Sequence, residues 1–69
     1  MALQKISLNL PESLLSTLKE ISERDDVTLT DSIRLLLKRG IFIDEEIQRG
    51  SVILVKYAGT EEVSRILFQ

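Results

Sequence analysis

The sequence predicts a mainly α-helical domain with short β elements, ordered strand, helix, helix, hairpin, and completed by a second copy of itself. Three observations lead there. The first residues alternate apolar and polar side chains with no neighbouring segment to pair with. Two consecutive stretches then carry apolar stripes at helical spacing. The chain is also too short and too apolar to satisfy itself: at 69 residues and 43% hydrophobic, a domain of this size buries only about 60% of the surface its unfolded form exposes. Cysteine and histidine are both absent, which removes disulfides and the usual structural zinc ligands as staples. A hydrophobic interface between copies remains, so an obligate homodimer is expected.

From Leu3 to Leu10, Ile6, Leu8 and Leu10 fall on one side and Lys5, Ser7 and Asn9 on the other, the period of a half-buried strand. Pro11 has its φ preset for a first helical turn and holds Leu10 extended, so strand passes into helix without a hairpin. The first helix runs from Pro11 to about Arg24 with Leu14, Leu15, Leu18 and Ile21 as its stripe, and Glu12 suits its positive end. Asp25 and Asp26 break the pattern. Thr28 and Asp31 then read as a capping box in which a short acid replaces Glu.

The second helix carries Leu29, Ile33, Leu36, Leu37 and Gly40 on one face, with Arg34, Lys38 and Arg39 outside it. Gly40 after two basic residues is one possible stop. Ile41 and Ile47 extend the stripe, Glu45 stands four residues before Arg49, and Gly50 offers a second cap; the longer helix is preferred. Beyond it, Val52–Tyr57 and Val63–Phe68 are rich in β-branched and aromatic residues and are joined by a link containing Gly59, which predicts a β-hairpin. Residues 1–50 thus form the main unit, and residues 51–69 a hairpin extension of the same domain.

A formal charge of −2 gives no global basic signature of the kind nucleic-acid binders carry. The deficit is local: residues 1–40 hold six basic and six acidic side chains, residues 41–69 three basic and five acidic. No apolar run approaches the roughly 20 residues of a membrane span, and the N-terminus lacks the layout of a secretory signal, so a soluble, cytoplasmic protein is expected. Without His, Cys, a glycine-rich phosphate loop or a placed carboxylate pair, neither an enzyme nor a cofactor is expected. Asp44, Glu45 and Glu46 are consecutive on a helix and point in different directions, so no metal site is expected there.

A lone strand ahead of two helices leaves a row of unpaired backbone groups that invites another chain. Antiparallel pairing with the same strand of a second copy buries Ile6, Leu8 and Leu10 against the helices and turns Lys5, Ser7 and Asn9 outward. Here the sequence resembles the ribbon-helix-helix family of DNA-binding proteins, the Arc- and MetJ-type β-ribbon readers. The resemblance spans residues 3–43. It rests on the run from Lys5 to Glu12 (KISLNLPE) for ribbon and first turn, and on the run from Val27 to Arg34 (VTLTDSIR) for the second helix.

The resemblance implies a homodimer whose intersubunit antiparallel ribbon reads double-stranded DNA in the major groove, acting as a transcriptional repressor. Lys5, Ser7 and Asn9 would be the base-contacting residues. Lys5 can donate to guanine O6 or N7, and Asn9 can pair with adenine. Thr28 and the free N–H groups of Leu29 and Thr30 would grip a phosphate at the positive end of the second helix. Asp26 stands where the family commonly has glycine; with Asp25 it brings negative charge near that phosphate. Low or moderate affinity per dimer is expected, offset by dimers binding side by side.

Two other readings stay open from the sequence. One keeps the fold but makes the chain an antitoxin that represses its own operon while the C-terminal part holds a toxin. The other is a protein-interaction module without DNA binding, in which the N-terminal strand joins the hairpin in one three-stranded sheet. The hairpin itself can pad the dimer or meet a protein partner.

Overall fold

The computed structural model describes residues 3–68 and contains two helices and one two-stranded antiparallel sheet, mainly α with short β. The first helix, α1, spans Glu12–Asp25. Pro11 precedes it with φ −56° and ψ 145°, extended in ψ as a residue at a helix entrance must be. Its carbonyl accepts the Leu15 N–H at 3.0 Å, the first bond of the helix. Leu15, Leu18 and Ile21 are half-buried as their spacing requires, whereas Leu14 is exposed.

α1 ends where Asp26 turns left-handed, φ 53° and ψ 48°. The Asp26 N–H reaches the Glu23 carbonyl at 3.2 Å and the Val27 N–H reaches that of Ser22 at 3.0 Å. This is a Schellman cap, and it satisfies two carbonyls the helix leaves open. Glycine is the cheapest residue at such a φ, but a short acid tolerates it, so the departure at Asp26 does not prevent the turn.

The second helix, α2, spans Leu29–Gln48. Thr28 opens it: its carbonyl accepts the Ser32 N–H at 3.0 Å and its Oγ1 accepts the Asp31 N–H at 3.1 Å. Only half of the expected capping box is made. The Asp31 carboxylate, one methylene shorter than that of Glu, lies 3.6 Å from Arg34 instead of closing back on the cap. Gly40 sits inside the helix, and the stop comes at Gly50, φ 89°, with Gly50 N–H on the Ile47 carbonyl and Ser51 N–H on that of Glu46, both at 3.0 Å. This second Schellman cap explains why the longer helix forms: a cap needs a residue at positive φ beyond the last turn, and Gly50 supplies it.

The ion pair at this end differs from the expected one. Arg49 pairs with Glu46 at 3.2 Å rather than with Glu45. The Ser51 hydroxyl donates to Glu46 at 3.0 Å and holds that carboxylate at the helix end within reach of Arg49.

Strands β1 (Ile53–Lys56) and β2 (Val63–Ile66) pair antiparallel, Ile53 opposite Ile66 and Lys56 opposite Val63. They are shorter than the apolar runs predicted for them. The link turns at Tyr57–Thr60, where Thr60 N–H meets the Tyr57 carbonyl at 3.2 Å and Gly59 takes φ 75°, the positive φ that such a turn demands of its third residue. The Thr60 hydroxyl bonds Tyr57 O and accepts from Glu62 N–H, each at 3.1 Å.

Residues Leu3–Leu10 form no strand, and among the described residues their backbone makes no hydrogen bond. The expected strand therefore does not exist within one chain. The only sheet among the described residues is the hairpin, so the three-stranded alternative is not formed. Ile6 and Leu8, expected against the helices, are exposed in the single chain, and Leu10 is half-buried. A single strand has nothing to bond to, and the sidedness it needs for burial comes only with pairing.

The chain divides into two units, one ending at Arg34 and one beginning at Leu35. Among the described residues no apolar side chain is fully buried; only Ser22 and Ser32 are. Leu37, Ile41 and Ile47, read as part of the second apolar stripe, are exposed. No helix is long and apolar enough to cross a membrane among the described residues.

Candidate nucleic-acid interface

All six residues singled out for DNA contact belong to the unit ending at Arg34. Lys5, Ser7 and Asn9 lie in the segment that leads into α1, alternate in sequence with Ile6, Leu8 and Leu10, and are exposed. At about 3.3 Å per residue, an extended Lys5–Asn9 stretch covers roughly 13 Å, comparable to the approximately 12 Å width of the major groove. Lys5 has no ion pair among the described residues, so its ammonium keeps all three donors for a ligand.

The second cluster is the entrance of α2. The Thr28 Oγ1 is engaged by the Asp31 N–H, which leaves the N–H groups of Leu29 and Thr30 without a partner among the described residues. They are the orphan donors every helix start presents, at the positive end of its dipole. Such a pair accommodates a phosphate oxygen. Thr28 serves first as the cap that fixes their direction, and its hydroxyl retains one donor.

The charge near this entrance is arranged more favourably than the sequence suggests. Arg24 grips Asp25 with two bonds, Nε to Oδ1 at 2.8 Å and Nη2 to Oδ2 at 3.1 Å. That bidentate pairing holds the guanidinium pKa above its ordinary value, chiefly through the hydrogen bond and then through the carboxylate's charge, and it offsets one of the two acids preceding the helix. The neighbouring Arg24-Asp25 dipeptide was the available signal for it. Asp31 is similarly balanced by Arg34 at 3.6 Å. Asp26 has no ion pair among the described residues and remains the uncompensated negative group on this side.

In the second unit, Lys38 and Arg39 are exposed on α2 and unpaired among the described residues. Of the acidic trio, Glu46 is occupied by Arg49 and Ser51, and no cluster of metal-binding side chains occurs among the described residues. A largely apolar hollow of about 240 Å³ is lined by Gly40, Ile43, Asp44, Ile47 and Phe68; with Asp44 as its one polar side chain it lacks the converging polar groups a small-molecule site uses to orient a ligand. Compared with family models, curated protein sequences and solved structures, the chain matches none.

Proposed function

We propose that the protein is a homodimeric ribbon-helix-helix DNA-binding regulator, a repressor, whose paired N-terminal strands read the major groove. One observation carries the reading. The segment Leu3–Leu10 alternates apolar and polar residues, makes no backbone hydrogen bond among the described residues, and runs directly into a helix followed by a capped second helix. Pairing two such segments satisfies the backbone, shelters Ile6 and Leu8, and presents Lys5, Ser7 and Asn9 together.

The entrance of α2 supports the same reading. Phosphate contacts position a DNA-binding protein while base contacts specify its site, and the free N–H groups of Leu29 and Thr30 supply the positioning contact. The Arg24–Asp25 pairing reduces the repulsion that the two acids would otherwise exert on a phosphate there. Antitoxin function is the weaker reading, because residues 51–68 carry an ordered hairpin rather than a segment left to fold on a toxin.

Selection of bound duplexes from a random pool tests the proposal. It predicts recovery of a short, roughly two-fold symmetric site. Recovery of unrelated sequences, or of none at low salt, refutes it.

A further inference from the structure

The hairpin has two open edges, and its ladder fixes which groups face them. In an antiparallel pair, residues alternate between those that exchange backbone bonds with the opposite strand and those that direct theirs outward. Tyr57 N–H donates to the Glu62 carbonyl at 3.1 Å, which sets the phase. In the observed register, Val55 with Ser64 and Ile53 with Ile66 bond inward. Leu54 and Lys56 on β1, and Val63 and Arg65 on β2, therefore point their N–H and C=O groups away from the hairpin. The sheet has two strands among the described residues, so no third strand covers these groups. A two-stranded hairpin is marginal in water by itself, and an open apolar edge is a template for another strand.

The two edges differ in what they accept. Lys56 guards the β1 edge, and no acid stands in the outward-bonding positions beside it. The β2 edge is complementary to itself. Val63 and Arg65 alternate with Ser64 along β2, and Glu61 and Glu62 stand in the link immediately before it. Laid antiparallel on an identical strand about a two-fold axis at Val63, β2 sets Val63 opposite Val63 and carries Arg65 to the end of the second copy's strand where Glu61 and Glu62 stand. The cation of each strand thus approaches the acids that precede the other, with an apolar pair at the centre. Arg65 has no ion pair in its own chain among the described residues, and Glu61, 97% exposed, is held only by Lys56 at 3.6 Å.

We infer that the β2 edge is a self-association surface: a second copy of this chain adds its own β2 antiparallel in the Val63-centred register, joining two hairpins into one four-stranded sheet. Leu54 and Val63, exposed on the same face of the hairpin, become part of a wider apolar surface. The contact is independent of the N-terminal pairing proposed above, and the two together close at four chains when their two-fold axes meet at right angles.

Sedimentation equilibrium of the full chain tests it, with far-ultraviolet circular dichroism to confirm folding. Arg65→Glu, and separately Glu61→Arg, should halve the mass: four chains to two when the N-terminal strands also pair, two to one when they do not. The double variant Glu61→Arg/Arg65→Glu should restore the wild-type mass, which a loss of folding cannot imitate. Arg65→Gln, a milder change at an exposed position, should weaken the association should the reversal fail to fold. An unchanged mass in the folded single variants, or a folded double variant that stays at half mass, overturns the inference. A dimer split by Ile6→Ala and not by Arg65→Glu leaves the N-terminal reading standing and removes this one; the opposite pattern does the reverse.

Discussion

Truncating Ile6 to Ala should dissolve the N-terminal pairing while leaving each chain's helices intact. Ile6 is 75% exposed in the single chain, so its removal costs the isolated chain little. Pairing would cover that side. The change deletes about three methylene equivalents at about 0.8 kcal/mol each when buried. Scaled by the fraction newly covered, the loss is about 1.8 kcal/mol per chain. Two-fold symmetry applies it twice, about 3.6 kcal/mol per dimer. At 1.4 kcal/mol per tenfold, the dissociation constant of the pair should rise about 400-fold. Dilution series by sedimentation or light scattering measure this directly. Helical circular dichroism extrapolated to the same monomer state should be unchanged. A dissociation constant within a few-fold of wild type would refute the reasoning, because it would mean that Ile6 stays in water when the copies meet.

Three further outcomes follow from the same geometry. Lys5→Ala should leave self-association unchanged and reduce discrimination among DNA sites by about 1–3 kcal/mol at the base pair it reads, checked by gel shifts at fixed salt. Thr28→Ala removes the acceptor for the Asp31 N–H and should cost about 1 kcal/mol of stability in a denaturant titration, together with a loss of DNA affinity that is alike for every sequence. Asp26→Gly relieves a left-handed residue at φ 53° and removes the uncompensated charge beside α2. It should bind DNA several-fold more tightly at low salt with no loss of melting temperature, and weaker binding would show that Asp26 does not face the phosphate.

What could be read from the sequence was local, and what could not depends on how the chain turns and on what covers each face. Pro11, the Asp25-Asp26 break, Thr28 and Gly50 bound both helices because each acts on its own backbone. Gly40 was ambiguous for the same reason: two basic residues before a glycine form a stop signal only if the glycine turns to positive φ, and local sequence does not decide that. The apolar stripes show which faces seek cover without showing what covers them, and Leu14, Leu37 and Ile41 on those stripes lie exposed. The Arg49 pairing shifted from Glu45 to Glu46 once Ser51 joined it, a contact made only after the chain has turned at Gly50. Alternation from Leu3 to Leu10 was legible, but a strand is a relation between two segments, and no segment pairs with it among the described residues.

Isotope-filtered nuclear magnetic resonance on an equimolar mixture of labelled and unlabelled protein tests that relation most directly. The account predicts cross-peaks between backbone protons of residues 5–9 on labelled and unlabelled chains, in an antiparallel pattern. If those residues show contacts solely within their own chain, or none while the helices are formed, the paired ribbon and the DNA-reading role built on it are contradicted.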